Sequence, residues 1–187
     1  QDLTVDAAET VAKKDNLVVK RVAQPRVYQM YFNLNKMQDK AVREAIMYGV
    51  NKKDIGEKLM KGSVSAAYSA FPDDSAYGAK NLKPRMFDAA KAKQILADAG
   101  YKDTNGDGIV EKDGKPLTVQ FSVYKRAAIA PIATEMQAQL KQIGIDVQIK
   151  NFEKATFFAP GDFDIGLYYV VTMPVGDPYD FLYNAYD

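Results

Sequence analysis

Apolar residues return along this chain at two periods. Alternating stretches predict half-buried strands, and apolar residues three or four apart predict helices lying on a core. The clearest helical stripe is Ile132, Met136, Leu140 and Ile143, inside a helix expected from Ala127 to Ile143 and stopped by Gly144. A second helix is expected from Lys40 to Val50, with Ala41, Val42, Ala45, Ile46 and Val50 on one face. Asp39 precedes it, and a short carboxylate there can accept from a free N–H of the first turn. Asn51 ends that helix and can cap the next, which runs to about Met60, with Asp54 placed to close a capping box and Gly62 as its stop. Asp88 caps a helix from Ala89 to Ala99, ended by Gly100, and a short helix from Ala7 to Lys14 lies near the start.

Leu117–Tyr124 (LTVQFSVY) and Ile145–Lys150 (IDVQIK) alternate as strands on either side of the long helix. That strand–helix–strand order favours a parallel pair with a right-handed crossover. Val27–Leu34 and Leu17–Val22 also read as strands, and Asp164–Val171 (DIGLYYVV) as a buried one. Ser63 to Arg85 shows no period, and long stretches of that kind are usually functional or packed on a neighbour. Asp103 to Pro116 reads as a turn segment. The fold class is α/β, with a mixed sheet and flanking helices.

Composition then narrows the chemistry. The 187 residues include no Cys, His or Trp, which excludes disulfides, thiolate sites and imidazole-based catalysis within the chain. Twenty-five basic residues against 24 acids leave a net charge of +1, and the basic residues are dispersed, so nucleic acid is not the expected partner. No apolar run approaches the ~18 residues of a membrane span. The first residues, QDLTVDAAETVAKKD, have neither a signal-peptide pattern nor an initiator Met, so the expectation is a removed leader or a piece of a longer protein.

Three features could carry function. From Phe152 to Asp187 the chain holds six acids, one base and ten of its 21 aromatics, a composition that suits either a contact face or a core strand with acidic loops. Asp103-Thr-Asn105-Gly-Asp107-Gly108 matches the front half of a calcium loop, with oxygen ligands at positions 1, 3 and 5 and Gly at 6. Position 12 is Gly114 rather than a carboxylate, and the nearest acids are Glu111 and Asp113, so a turn closed by side-chain bonds is the competing reading. Asp73/Asp74 and Asp162/Asp164 are paired carboxylates; a hydrolase using Asp162 and Asp164 is the enzymatic alternative, although adjacency in sequence fixes neither spacing nor pKa. No phosphate-binding glycine motif is present.

Several stretches together resemble the family 5 solute-binding proteins of ABC importers, the dipeptide, oligopeptide and nickel group. They are Tyr31-Phe32-Asn33-Leu34 with Asp39 to Ile46 and Asn51-Lys52-Lys53, then Phe87-Asp88 to Gly100-Tyr101. They continue with Gly114-Lys115-Pro116-Leu117, Met136 to Ile145, and Asp162-Phe163-Asp164 with Gly176-Asp177-Pro178 and Phe181-Leu182. The resemblance covers about Tyr28 to Leu182 in order. It implies a two-lobed periplasmic-binding-protein-like fold of which residues 1–187 are one lobe, the second, and a non-catalytic protein, periplasmic or anchored at the cell surface. That protein would act as a monomer and pass a peptide or nickel chelate to a membrane permease. It places Asp103 to Asp113 at a variable turn of the family.

For the ligand, the resemblance points to the cleft rim formed by Tyr169, Thr172, Met173 and Pro174. Peptide binders of the family carry an Asp shortly before the Asp-Pro motif, where an ammonium in a dry cleft needs a carboxylate. Pro174 stands in that place here, closer to the nickel-type pattern, and Asp177 is read as setting the turn before Pro178. A calcium-stabilised, non-catalytic interaction module, with Asp103, Asn105 and Asp107 as ligands, is the alternative function.

Overall fold

The computed structural model describes residues 5–20, 22, 24–71, 75–78, 82–157 and 163–186. The elements in order are α1 (Val5–Ala12), β1 (Arg26–Phe32), α2 (Lys40–Gly49) and α3 (Lys52–Asp54), which passes directly into a π-helical turn, Ile55–Leu59. Then come α4 (Ala89–Asp98), β2 (Glu111–Lys112), β3 (Lys115–Pro116), β4 (Thr118–Tyr124) and α5 (Ile129–Gln142). The chain continues through β5 (Asp146–Phe152), a 3-10 turn at Lys154–Thr156, β6 (Ile165–Val171) and α6 (Tyr179–Tyr186).

Local chemistry accounts for most of these boundaries. The Ala41 N–H donates to Asp39 Oδ1 at 2.9 Å and the Lys91 N–H to Asp88 Oδ1 at 2.9 Å, so both expected N-caps are made. Gly100 and Gly144 adopt φ of 89°, the left-handed conformation that closes a helix. The expected strand at Leu17–Val22 is not formed by its described residues: Leu17 to Lys20 and Val22 lie outside any strand, with Val18 94% exposed. Apolar, β-branched residues do not make a strand without a ladder partner, and this segment has none among the described residues. The expected single helix from Asn51 to Met60 widens into the π turn, where the Met60 N–H donates to the Ile55 carbonyl and the Gly62 N–H to that of Gly56. A Cβ on Gly56 would stand 2.8 Å from the Val64 carbonyl oxygen, so only glycine allows this approach.

The main sheet has the order β1-β6-β4-β5. Strand β4 pairs in parallel with β5, Thr118 opposite Asp146 through Tyr124 opposite Phe152, and in parallel with β6, Phe121 opposite Ile165. Strand β1 runs the other way: the Asn33 N–H donates to the Asp164 carbonyl at 2.9 Å and the Thr172 N–H to that of Pro25 at 3.0 Å. The sheet is therefore mixed. Interior strand β4 is buried along almost its whole length, while edge strand β5 alternates, Val147 in and Gln148 and Lys150 out.

The chain divides into two compact units. Tyr28–Asn51 and Lys83–Tyr168 form one. Its core is Phe121, Val119 and Val123 of the sheet under Ile129, Ile132, Met136 and Leu140 of α5, together with Val42, Ala45, Ile46, Ala92 and Leu96 where α2 packs on α4. Gln1–Val27, Lys52–Leu82 and Tyr169–Asp187 form the other. There Ile55, Met60 and Phe181 are buried, Phe71 meets Phe181 edge-on at 5.7 Å, and Lys61 reaches Asp6 at 3.0 Å and Glu9 at 2.7 Å on α1.

Asp164, at the head of β6, joins three strands. Its carboxylate accepts from the Gln120 N–H at 2.7 Å, its own N–H donates to the Gln120 carbonyl at 3.1 Å, and its carbonyl accepts from Asn33. Removing an ionised acceptor from a backbone donor costs about 1.5–3 kcal/mol. Asp164→Ala should lose that amount in urea denaturation, and Asp164→Asn, which keeps an acceptor, should lose less; a loss below about 0.5 kcal/mol for Asp164→Ala would refute the strand-joining role.

Candidate functional site

Strands β4, β5 and β6 run in one direction, and ligands of open α/β sheets gather at the carboxyl ends of such strands. Aromatic rings stand there. Tyr124 closes β4, Phe157 follows β5 and Tyr168 lies on β6; their centroids are 5.1 Å apart for Tyr124–Tyr168, 5.5 Å for Phe157–Tyr168 and 5.7 Å for Tyr124–Phe157. Gly166 admits this cluster, since a Cβ there would meet Phe157 Cζ at 3.0 Å. Only Tyr124 ends its strand; Tyr168 is the central residue of β6 and Phe157 lies beyond the turn after β5, so the periodicity of the strands does not single the cluster out.

The four expected rim residues occupy the end of β6 and the turn after it. Tyr169 is half-buried, with the Arg26 guanidinium 5.7 Å from its ring centroid. Thr172 is fully buried, its N–H and its hydroxyl both donating to the Pro25 carbonyl, at 3.0 and 3.4 Å. Its side chain ties the end of β6 to the segment before β1. Met173 is half-buried and Pro174 exposed. The Gly176 N–H closes a turn onto the Met173 carbonyl, with Gly176 at a φ of 82°. Asp177 Oδ1 accepts from the Tyr179 N–H at 2.8 Å, so Asp177 sets the entry to α6 and Pro178 is buried behind it.

The Asp103 loop forms a compact knot of side-chain bonds. Asp103 accepts from the N–H groups of Gly106 (2.7 Å) and Gly108 (2.9 Å), Asn105 from Asp107 (2.8 Å), and Asp107 from Ile109 (2.8 Å). The loop is closed by Lys102 and Glu111, whose backbones bond reciprocally at 2.9 and 2.8 Å. Beyond it, Asp113 and Gly114 take positive φ of 53° and 73° in the two-residue turn between β2 and β3. That turn carries the eleventh and twelfth loop positions away, and Glu111 becomes the third carboxylate of the cluster: one oxygen each of Asp103, Asp107 and Glu111 lies within 4.8 Å of the others.

Nearby in sequence, Tyr101 donates to Asp39 Oδ2 at 3.1 Å, and Lys112 stands 3.5 Å from the same oxygen and 5.0 Å from the Tyr101 ring centroid. Burial first, and then the Asp39 carboxylate, push the Tyr101 hydroxyl up to about 12, so it remains a donor. Partial burial pulls Asp39 upward, but the Ala41 N–H, Tyr101 and Lys112 outweigh it and hold the carboxyl below its ordinary range. A hollow of about 390 Å³ beside them is lined by Tyr101, Lys112, Asp113, Lys115, Pro116, Leu117 and Thr118, and by none of the rim residues. Of the paired carboxylates, Asp164 is engaged in the sheet, and Asp73, Asp74 and Asp162 lie outside the described residues.

The chain and its fold have known relatives. The family model described as bacterial extracellular solute-binding proteins, family 5 middle, matches residues 1–187. The chain belongs to that family of solute-binding proteins. It is 35% identical over 142 residues to the nickel-binding periplasmic protein of Escherichia coli K12, covering 75% of this chain and 27% of the relative. It is 35% identical over 150 residues to the oligopeptide-binding protein AppA of Bacillus subtilis, covering 78% of this chain and 28% of the relative. The solved structure of NikA from Brucella suis with Fe(III)-EDTA superposes with a TM-score of 0.81 at 30% identity, over 96% of this chain and 37% of that one. The chain thus spans little more than a quarter of the length of these curated relatives.

The Asp39 cluster generates a pH dependence. Its folded pKa lies below the unfolded value of about 3.9, so its stabilisation is present above that pH and disappears as pH falls through the lower, folded value. Asp39→Asn, which retains a capping oxygen, should lower the urea midpoint at pH 7, and by less at a pH well below about 3.9. An equal gap at both pH values would contradict this account.

Proposed function

We propose that this chain is part of the solute-binding component of an ABC importer, where it contributes one lobe, the second, to a cleft that closes on a small solute. Membership of the whole chain in the solute-binding family is the observation that carries this reading. Closure of two lobes on a ligand requires contacts from both, because only a difference in affinity between open and closed states moves that equilibrium. The protein works outside the cytoplasm, in the periplasm or anchored at the cell surface, as a monomer that hands its solute to a membrane permease.

The solute is a nickel chelate in preference to a peptide. Supporting this choice, the position expected to hold an amine-pairing carboxylate is Pro174, exposed and uncharged, and the adjoining Asp177 is engaged with the Tyr179 N–H. Tyr169, braced by Arg26, and Met173 and Pro174 on the following turn present aromatic and apolar surface, which suits a complex whose metal brings its own ligands. Thr172 holds the rim in place through Pro25. Relatives named for nickel and for oligopeptides share the same level of identity with this chain, so the ligand has to be measured.

The test is calorimetry on the protein at its full natural length, titrated with Ni(II) plus L-histidine and, separately, with a mixed series of short peptides. The expected result is nickel-chelate binding with a micromolar or tighter Kd, weakened at least about tenfold by Tyr169→Ala, or about 1.4 kcal/mol. Tight binding of peptides without binding of the chelate overturns the nickel preference, and binding of neither overturns the assignment of solute class.

A further inference from the structure

The Asp103 loop holds one atom that its own hydrogen bonds do not explain. Glu111 is only 8% exposed, and its Oε2 accepts both the N–H and the hydroxyl of Thr104 at 2.8 Å. Its Oε1 is buried with no hydrogen-bond partner. A turn satisfied by side-chain-to-backbone bonds accounts for Asp103, Asn105 and Asp107, but it does not account for a buried oxygen left bare on Glu111, a side chain that stands with two other carboxylates. Among the described residues, the ion pairs of the chain include none with Asp103, Asp107 or Glu111. Desolvating a carboxylate without a counter-charge is costly, and placing like charges beside it adds to the cost.

We infer that Asp103, Asn105, Asp107 and Glu111 form a calcium site. The donor set is all oxygen, as a hard cation requires, and contains three carboxylates and one amide. The loop follows the calcium pattern at positions 1, 3 and 5, and Gly108 at position 6 has the φ of 86° that the sharp turn needs. The Ile109 carbonyl falls at position 7, where such loops contribute a backbone oxygen. Carboxylate oxygens that accept one N–H keep a second lone pair for a metal, so the bonds to Gly106, Gly108 and Ile109 orient the donors without exhausting them. The departure from the usual loop is the replacement of a distant twelfth ligand by Glu111 at position 9. The reciprocal backbone bonds between Lys102 and Glu111 make that possible, since they hold position 9 across from the residue preceding position 1. The ion would clamp the connection from α4 to the β2–β3 hairpin, and nothing in this assignment depends on the identity of the transported solute.

The experiment uses the protein at its full natural length, stripped with EGTA and titrated with CaCl2 by calorimetry and thermal melting, with MgCl2 as the comparison. At calcium about 100-fold above Kd the melting temperature should rise by about 2–3 °C, the shift that about 2.7 kcal/mol produces in a protein of roughly 500 residues. Glu111→Gln, which keeps an acceptor for Thr104, and Asp107→Asn, an exposed position that does not endanger folding, should each weaken calcium binding at least about tenfold. Absence of both heat and melting shift on adding calcium overturns the site. So does calcium binding undiminished in Asp107→Asn, or a magnesium response equal to that of calcium.

Discussion

The sheet of this protein depends on how β6 is inserted between a strand that runs with it and one that runs against it. Asp164 resolves the mismatch. Its carboxylate and N–H grip Gln120 of β4 on one side, and its carbonyl takes the Asn33 N–H beyond the end of β1 on the other. The β4–β6 pairing is short, Phe121 with Ile165 and Ser122 with Gly166, so few ladder bonds are available to fix the register of that join. Because side chains on a strand alternate between faces, a slip of one residue would turn Ile165 and Leu167 out of the core. A side-chain acceptor at the head of the strand removes that freedom. A carboxylate that sequence inspection could equally assign to acid–base work is therefore an element of strand registration.

The same logic, a short covalent loop held by a few directional bonds, shapes the segment from α4 to β4. Gly100 ends the helix, Lys102 and Glu111 close the loop, and Asp113-Gly114 reverses the chain into β3. Each of these is a local requirement with a local solution. Their joint consequence is non-local: the hairpin removes the acid at position 11 and the glycine at position 12 from the loop and draws Glu111 into the protein. An acidic side chain that would be solvated in an open loop is thereby desolvated beside two others.

Much of this fold was legible in the sequence, because the signals concerned are short-range. The caps at Asp39 and Asp88, the stops at Gly100 and Gly144, and the alternation of the parallel β4–β5 pair all depend on residues close together in the chain. The failures have the opposite character. Leu17 to Val22 has strand-forming residues, but a strand is defined by a partner, and no periodicity supplies one. Helix α6, YDFLYNAY, is the exception: its signals are short-range too, with Tyr179, Leu182, Tyr183 and Tyr186 at helical spacing behind the Asp177-Pro178 entry, yet it is not among the helices expected from the sequence. The π turn needs Gly56 against Val64, a contact that only the folded chain reveals. At the candidate sites, the sequence pointed to Asp103, Asn105 and Asp107 but not to the burial of Glu111, which follows from the Lys102 pairing and the hairpin turn.

The donor chemistry separates the two kinds of metal recognition considered for this chain. It has no His and no Cys, so the donors its side chains can offer a cation are overwhelmingly oxygen atoms. Oxygen donors gathered in threes suit calcium; nickel favours imidazole and other nitrogen ligands. At the end of β6 the chain offers Tyr169, Met173 and Pro174, groups that pack and stack rather than neutralise a bare ion. A nickel solute would therefore meet this part of the protein as a complex already furnished with nitrogen donors, recognised by shape and by the faces of its ligands. Specificity at that surface would lie in the chelator, whereas at the inferred Asp103 site it would lie in the charge and size of the ion. The two sites would respond to different chelators in solution, which is a physical consequence of donor type and holds whatever lies elsewhere in the full-length protein.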